Sequence, residues 1–392
     1  MGVPRISISD YDYSLTEEKI AKYPISPRDN AKLLVYDSGE IIHSTFNELG
    51  GFLTKQDIMF VNNTKVIPAR LWFKKESGAP IQIFLLKPLS PDWSIWEALV
   101  GNRRKFKEGD ELSLMNANEF NLTATWHSRD LNHIHLRTDS GASIPEVIEK
   151  MGEVPLPPYL NRETEDSDKK DYQAIFAKER GAVAAPTASL HFTDSLLESL
   201  KSKGVTQQDI TLHVGAGTFK PVSTDFVDEH EMHAEQFSVE VDAIDELLKR
   251  TEGVLAVGTT SARVLESLPL LGAKRLLGQK KEVFVSSSDG YREELKHIST
   301  REALLSLREW CVEMGGELKG ETQIFMVPGF DFRLTQKMIT NFHQPKSTLI
   351  LLIAAFIGDD WRKVYASASG SDYRFLSYGD GSLLVGKKNI RL

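Results

Sequence analysis

The stretch VLAVGTTSARVLESL, residues 254–268, indicates the fold of the largest part of the chain. Its first four residues form an apolar run typical of a buried strand, and its second half has the spacing of a helix. Gly258, Thr259 and Thr260 lie between the two, where a helix cap is expected, and Arg263 follows in the first predicted turn. A strand that leads directly into a helix is typical of an α/β sheet with partly parallel strands.

The same alternation continues on both sides of this stretch. GAVAAPT (residues 181–187) and ITLHVG (210–215) are strand-like, and Thr193 and Asp242 occupy cap positions of the helical patterns that follow them. The apolar run LILLIAAFI (349–357) predicts a buried helix, since about 20 residues are needed to span a bilayer. We therefore predict an α/β domain with a mixed, partly parallel sheet.

A different texture occupies residues 81–138, where short β-rich runs alternate with Gly, Asn and Asp at intervals of roughly 8–12 residues. This spacing favours a small all-β barrel or sandwich. We predict a discontinuous α/β catalytic domain over residues 1–69 and 145–392, with an inserted β-barrel domain over 70–144. The charged segment NRETEDSDKKD, residues 161–171, is expected to be a mobile loop.

Composition and the chain ends limit the protein class. Of 392 residues, 41% are hydrophobic and 26% are charged, as in ordinary soluble proteins. The first residues lack the apolar core of a secretory signal, and the single cysteine, Cys311, excludes an internal disulfide. We expect a soluble, cytoplasmic protein with no membrane association.

The charge distribution leaves two interpretations open. A net charge of −8 argues weakly against a nucleic-acid partner. However, Arg103, Arg104 and Lys105 are clustered in GNRRKFKEGD (101–110), and the chain ends in KKNIRL. Each of these segments is either a phosphate-binding patch or a solvated surface, because phosphate contacts need clustered cations rather than a basic protein.

Polar, glycine-rich clusters follow the predicted strands, which is where α/β sheets bind their ligands. Each cluster alone is more typical of a cap or tight turn, but several at one sheet edge predict a composite pocket. The clusters contain Thr187 and His191; His213, Gly215, Gly217, Thr218 and Phe219; Gly258, Thr259, Thr260 and Arg263; Asn341, His343, Lys346 and Thr348; and Arg374, Tyr378 and Asp380.

The segment DEHEMHAE, residues 228–235, contains His-x-x-His, a spacing that can suit zinc. The HExxH pattern and a cysteine cluster are both missing, so no metal site is predicted. His233 and Glu235 better suit acid–base chemistry or hydrogen bonding to a polar ligand. A Rossmann-type methyltransferase also fits poorly, because Pro221 follows the Gly215-Ala216-Gly217 turn where a helix should begin.

Nine segments together resemble one family over nearly the whole chain. They are YPISPRDNAKLLVYD (23–37), VNNTKVIPARL (61–71), EVPLPPYL (153–160), GAVAAPTASLHFT (181–193), TLHVGAGTFKPV (211–222), MHAE (232–235), AVGTTSARVLES (256–267), NFHQPKSTL (341–349) and YRFLSYGD (373–380). In this order they resemble the signatures of the S-adenosylmethionine:tRNA ribosyltransferase-isomerases of queuosine synthesis.

The resemblance implies a reaction and a fold. The ribosyl part of S-adenosylmethionine, the co-substrate, is transferred to 7-aminomethyl-7-deazaguanine at the wobble position of tRNA. Isomerisation to an epoxycyclopentane gives epoxyqueuosine, with release of adenine and methionine. A β-barrel inserted in an α/β domain is also implied, and we expect a monomer that needs no metal.

The chemistry requires a base that removes a proton beside the sulfonium and an acid that protonates the departing adenine. The acid–base candidates are His191, His213 and His233, with Glu235 and Asp380 behind them. Gly215, Gly217 and Thr218 are expected to let the backbone approach the nucleoside, and Phe219 or Phe192 to face the sulfonium. Arg263 and Lys346 are candidates to hold the methionine carboxylate or an RNA phosphate, and Arg103, Arg104 and Lys105 to bind tRNA.

Several positions depart from the family pattern. Ser189 replaces Gly, Gln344 replaces Leu, Phe330 replaces Tyr, and Gly381-Ser382 replaces Ala-Met. The segment 268–320 is longer than usual and includes a predicted extra helix, REALLSLREWCVEM. Two alternatives therefore stay open, namely an inactive RNA-binding relative and an S-adenosylmethionine enzyme with another acceptor.

Overall fold

The structure of the chain is a computed structural model that describes residues 2–116, 120–139, 141–215, 222–250, 252–279 and 282–386. Within these ranges it contains a large mixed sheet, a closed barrel and a two-stranded ribbon. The predicted fold class, a mixed α/β domain combined with a small all-β barrel, is confirmed. The proposed domain boundaries at 69/70 and 144/145 stay predictions.

The strands of the described residues alternate with loops and helices along the whole chain. In chain order they are β1 (Lys32–Asp37), β2 (Glu40–Thr45), β3 (Ile58–Asn62), β4 (Thr64–Val66), β5 (Arg70–Lys74), β6 (Pro80–Pro88), β7 (Ile95–Val100), β8 (Leu112–Leu114), β9 (Leu122–Ser128), β10 (His133–Thr138), β11 (Glu179–Ala182), β12 (Thr206–Leu212), β13 (Glu235–Glu240), β14 (Val254–Val257), β15 (Phe284–Val285), β16 (Glu317–Thr322), β17 (Lys337–Asn341) and β18 (Gly381–Val385).

The α-helices of the described residues lie mostly in the second half of the chain. They are α1 (Ile144–Met151), α2 (Asp168–Asp171), α3 (Asp194–Ser202), α4 (Val241–Leu248), α5 (Thr259–Leu276), α6 (Glu293–Lys296), α7 (Thr300–Glu313), α8 (Thr348–Ile357) and α9 (Trp361–Gly370). The predicted extra helix is confirmed as α7, which packs closely on α5. A Cβ atom on Gly272 of α5 would lie 1.8 Å from the carbonyl oxygen of Ala303, so only glycine permits this approach.

The large sheet has the strand order β15-β16-β13-β12-β3-β14-β17-β18-β1-β2. Its four central strands, β12, β3, β14 and β17, are mutually parallel. Their carboxyl ends therefore meet at one edge of the sheet, where an α/β fold places its ligand. This arrangement brings the polar clusters that follow β12, β14 and β17 into one region.

The barrel closes in the order β10-β7-β6-β5-β8-β9. Alternate side chains point inward, and Phe73, Trp96 and Phe106 fill the interior with no exposed surface. Phe106 comes from the GNRRKFKEGD turn and stacks on Trp126 with ring centroids 4.8 Å apart. The turn is therefore anchored to the barrel core by its one aromatic residue.

The central helix α8 is buried along almost its whole length, as the apolar run predicted. Ser347 caps it by accepting a hydrogen bond from the Ile350 amide at 3.3 Å. In the described residues no helix combines the length and apolar character needed to cross a bilayer.

Three local predictions are corrected. Asp242 does not cap α4, because β13 runs into the helix at Glu240 and makes Glu240 the cap residue. GAVAAPT only begins in a strand, since β11 ends at Ala182 and pairs with β4 outside the large sheet. The segment 161–171 is not simply a solvated loop, because Asp168 within it is buried and paired with Arg162 at 2.6 Å.

Candidate functional site

Two adjoining cavities lie beyond the carboxyl ends of β12, β14 and β17. We name the first the Thr187 cavity; its lining includes the predicted residues Thr187, Gly258, Thr259, Thr260, Asn341 and His343. We name the second the Arg263 cavity; its polar lining comprises Gly215, His230, His233, Glu235, Arg263 and Thr348. Most predicted pocket residues are thus brought together, in two neighbouring chambers.

The Thr187 cavity combines apolar walls with a few polar groups. Gly258 forms part of its wall at φ +91°, and a Cβ there would lie 3.1 Å from Oγ1 of Thr260. That Oγ1 is buried without a hydrogen-bond partner among the described residues. Thr187 donates to Oδ1 of Asn341 at 3.4 Å, which fixes the amide at the end of β17. An unpartnered hydroxyl in a preformed cavity indicates a place for a polar ligand atom.

His343 contributes a neutral imidazole to the Thr187 cavity. Its Nε2 lies 2.8 Å from Oγ1 of Thr340, and burial lowers the pKa of His343 to about 3. The ring is therefore uncharged near neutral pH and suits hydrogen bonding rather than proton donation.

A buried ion pair defines the Arg263 cavity. Nη1 of Arg263 donates to Oε2 of Glu235, and Oε1 of Glu235 accepts from the Gly215 amide at 3.2 Å. Only 7% of Arg263 and 5% of Glu235 is exposed. Nε and Nη2 of Arg263 are buried without a hydrogen-bond partner among the described residues. Unsatisfied guanidinium hydrogens in a cavity are costly, so this edge is the natural binding point for an anion.

The two histidines of the DEHEMHAE segment line the Arg263 cavity. His233 is exposed at its rim, whereas His230 is half-buried beside Phe325 at a centroid distance of 5.9 Å. Burial and the nearby His233 lower the pKa of His230. Among the described residues no cluster of three or more potential metal ligands exists here or elsewhere.

His191 lies behind the Thr187 cavity rather than in its lining. Its ring stacks on Phe46 with centroids 4.1 Å apart, and its Nε2 lies 3.2 Å from Nδ2 of Asn341. Burial, and then the charges of Arg374 and Arg28, lower the pKa of His191 to about 3. These contacts favour a role in positioning Asn341 over proton transfer.

His213 also lies outside both cavities. Nδ1 of His213 lies 2.9 Å from Oγ1 of Thr64, and its ring packs against Gly181. Burial lowers the pKa of His213. The side chain faces the β4–β11 ribbon, although the next two residues, Val214 and Gly215, line the Thr187 and Arg263 cavities respectively.

The remaining catalytic candidate, Asp380, is engaged in structural contacts. Its carboxylate accepts from the Lys32 amide at 3.0 Å and from the amide and guanidinium of Arg374 at 2.8 and 3.1 Å. Tyr378 donates to Oδ1 of Asp168 at 3.1 Å. None of these side chains lines either cavity.

The other predicted residues fall in separate places. Nζ of Lys346 pairs with Oδ2 of Asp12 at 2.7 Å on the surface, and Phe192 is buried against Phe46 and Phe176. Gly217, Thr218 and Phe219, like the KKNIRL end, lie outside the described residues.

The predicted tRNA-binding residues form a short 3-10 turn on the barrel surface. Arg103 donates to the Arg129 carbonyl and lies 5.7 Å above the Trp126 ring. Arg104 and Lys105 are exposed beside it. The turn therefore presents cations next to an aromatic ring, a combination that suits nucleic acid.

Sequence reasoning missed several lining residues. Phe325 and Met232 line the Arg263 cavity, and Tyr159 and Ser377 line the Thr187 cavity, where their hydroxyl groups bond each other. Tyr159, Met232 and Ser377 belong to signature segments, but their side chains were not predicted as site residues. No pattern in the sequence marks Phe325 as a cavity residue, because an aromatic residue after a strand is usually a core residue.

The fold and the two cavities define an α/β protein that carries a β-barrel and has polar-lined cavities at the carboxyl ends of its strands. The profile of the family described as "Queuosine biosynthesis protein" matches residues 8–384. A protein of Sulfurihydrogenibium sp. (strain YO3AOP1) is 38% identical over 388 residues, covering 97% of this chain and all of that protein. A protein of Aquifex aeolicus is 38% identical over 384 residues, covering 96% and 99%. Both are named S-adenosylmethionine:tRNA ribosyltransferase-isomerase.

Among solved structures, the chain is similar to an S-adenosylmethionine tRNA ribosyltransferase from Thermotoga maritima. That match has 28% identity, covers 96% of this chain and all of that one, and has a TM-score of 0.47. The family match and the relatives show that this chain belongs to the queuosine biosynthesis protein family.

Proposed function

We propose that this chain is an S-adenosylmethionine:tRNA ribosyltransferase-isomerase. It transfers the ribosyl part of S-adenosylmethionine to 7-aminomethyl-7-deazaguanine at the wobble position of tRNA and isomerises it, forming epoxyqueuosine. Adenine and methionine are the other products. Family membership supports the reaction, and full-length relatives with this enzyme name support the use of S-adenosylmethionine and tRNA.

The observation that carries the proposal is the paired cavity at the strand ends. A co-substrate with a charged amino-acid end and a nucleoside end needs one chamber with a cation and one with neutral hydrogen-bonding groups. Arg263 supplies the cation, and Thr260, Asn341 and His343 supply the neutral groups. This pairing argues against an inactive RNA-binding relative, which has no need for a buried guanidinium with open N–H groups.

Proton transfer is proposed to depend on the Arg263 cavity. Of the three predicted histidines, His233 is the one among its lining residues, and Glu235, two positions later, lines it as well. We propose His233 as the acid–base residue and Glu235 as the group that holds Arg263. The amine of the aminomethyl base must be neutral when it attacks. His343 is uncharged near neutral pH and therefore does not favour the protonated form of that amine.

The deciding experiment supplies the protein with S-adenosylmethionine and tRNA that carries the aminomethyl base, and quantifies adenine and methionine by chromatography. We expect both products in equal amounts, together with epoxyqueuosine in the tRNA. A tRNA with guanine at the same position is the matched control and should release neither. If adenine is released only with a different acceptor, the protein is an S-adenosylmethionine enzyme with another acceptor. If the protein binds tRNA but releases no adenine, it is an inactive RNA-binding relative.

We further propose that the enzyme acts in the cytoplasm as a monomer. Sedimentation at micromolar concentration, with and without tRNA, tests the second statement. A dimer in the absence of tRNA would contradict it.

A further inference from the structure

We infer that the co-substrate lies across Leu349, with its methionine carboxylate on Arg263 and its nucleobase in the Thr187 cavity. This inference rests on the proposed function and adds the orientation of the bound molecule. Leu349, in the first turn of α8, lines both cavities. Two pairs of consecutive residues also join the cavities. Val214 and Ser347 line the Thr187 cavity, and the residues that follow them, Gly215 and Thr348, line the Arg263 cavity.

The guanidinium of Arg263 has the correct edge available for a carboxylate. Its Nη1 is occupied by Glu235, whereas Nε and Nη2 have no partner among the described residues. Nε and Nη2 lie on the same edge of the planar group, and their two N–H bonds are parallel, as bidentate binding of a carboxylate requires. Glu235 therefore orients Arg263 while leaving the binding edge free.

The surroundings of Arg263 favour an amino-acid chain over an RNA phosphate. Met232, Phe325 and Leu352 line the same cavity, and Arg263 is 93% buried. Apolar walls suit the methylene groups beside the sulfonium, and the Phe325 ring suits its positive charge.

The Thr187 cavity has the features of a nucleobase site. Ala185, Ala188 and Leu376 provide apolar contact, and the unpartnered Oγ1 of Thr260 is available for a hydrogen bond. His343, which stays neutral, adds a second polar contact without an opposing charge. A planar heterocycle with polar edges matches this lining.

Calorimetric titration without tRNA tests the orientation. The probes are S-adenosylmethionine, its decarboxylated analogue, 5′-methylthioadenosine and adenosine. With the unchanged protein, loss of the carboxylate should weaken binding roughly 10–100-fold, as expected for a charge-assisted bidentate contact. Equal affinity for the first two probes would overturn the carboxylate assignment without any variant being made.

Arg263→Gln should abolish the difference between these two probes and leave the decarboxylated analogue nearly unaffected. Arg275→Gln is the matched control, because Arg275 lies in the same helix, is also 7% exposed and lines neither cavity. Arg263→Lys keeps the charge beside Glu235 but lacks the bidentate edge, so it replaces the Gln variant if that one fails to fold. Weaker tRNA binding with unchanged S-adenosylmethionine binding would assign Arg263 to an RNA phosphate instead.

Thr260→Val should weaken all four probes by a similar factor of roughly 3–10, because each contains the nucleobase. If it weakens tRNA binding but none of the nucleosides, the Thr187 cavity holds the tRNA base and the orientation is wrong. If the unchanged protein binds no S-adenosylmethionine and also releases no adenine with the tRNA that carries the aminomethyl base, the proposed function itself fails, which is a distinguishable result.

Discussion

Nε2 of His191 lies 3.2 Å from Nδ2 of Asn341, directly behind the amide that lines the Thr187 cavity. The imidazole therefore contacts the lining residue and has no place in the lining itself. Its stacking on Phe46 and its low pKa fix it as an uncharged ring near neutral pH. A substitution of His191 should therefore disturb the packing behind Asn341 rather than remove the acid–base group that the sequence predicted.

We expect His191→Gln to reduce turnover less than tenfold while lowering the free energy of unfolding by about 1 kcal/mol. Gln can still accept a hydrogen bond from Asn341, but the aromatic stack on Phe46 is lost. Adenine-release assays measure turnover, and urea unfolding measures the free energy of unfolding. Asn341→Ala, which removes the lining amide itself, should reduce turnover more than His191→Gln. A 10²–10⁴-fold loss of turnover in a fully stable His191→Gln protein would instead restore the proton-transfer role.

The buried imidazoles should make stability depend on pH. Burial lowers the pKa of both His191 and His343 to about 3, so the unfolded chain binds more protons between pH 6.5 and 3. Stability is therefore fully present above pH 6.5 and falls as the pH is lowered. At pH 5 each residue should account for about 2 kcal/mol of the loss. His343→Gln should flatten the dependence measured by urea unfolding at pH 7.5 and 5.

The control for this prediction is His127→Gln, since His127 is exposed on the barrel. It should leave the pH dependence of unfolding unchanged. If the His343 and His127 variants behave alike, the low pKa of His343 is not what drives the acid sensitivity.

Replacing Arg103, Arg104 and Lys105 with Ala should weaken tRNA binding and reduce its salt dependence. Each phosphate contact that is lost removes roughly one released counterion from the slope of log affinity against log salt. Filter binding at several salt concentrations measures the slope, and S-adenosylmethionine affinity should not change. Alanine at three exposed lysines of the α/β region, Lys201, Lys249 and Lys319, is the charge-matched control. If both triple variants show the same slope of log affinity against log salt concentration, the barrel turn is an ordinary solvated surface and not a tRNA-binding patch.

Asp168→Asn should destabilise the protein by roughly 3 kcal/mol, because it leaves the guanidinium of Arg162 without its buried partner. Burial acts to raise the pKa of Asp168, but the hydrogen bonds from Arg162 and the Glu165 amide outweigh it and keep that pKa below its usual range. The stabilisation is thus present above about pH 4 and is lost as the pH falls further. Thermal unfolding near pH 7 measures the effect. Asp166→Asn, two residues earlier and exposed, should change the melting temperature little; similar shifts for both variants would contradict a buried anchor.

Turnover should continue after treatment with a chelator. The predicted chemistry relies on acid–base groups and charge, and the described residues contain no metal-ligating cluster. The adenine-release assay with and without chelator measures this. Abolished turnover that one added metal restores would show that a required ion had been removed.

The sequence alone determined the fold class and placed polar clusters after the strands of the sheet. The strand-to-helix passage at 254–268 became β14 and α5, and the β-rich runs became the closed barrel. These features depend on local periodicity and turn residues, which can be read along the chain. Thr260 and Asn341 line a cavity for the same reason, since they lie at the carboxyl ends of the parallel strands β14 and β17. Thr187 lines the same cavity although β11, the strand before it, lies outside the large sheet.

Only the tertiary structure decided what each polar side chain does at that edge. His191 and Phe46 are 145 positions apart, yet their stacking is what removes the imidazole from the cavity. Glu235 and Arg263 lie on different elements, and their contact is what leaves one guanidinium edge open. Burial, charge pairing and the direction of a side chain depend on neighbours that are distant in sequence. The motifs therefore placed these residues near the cavities, but only packing determined which of them line a cavity.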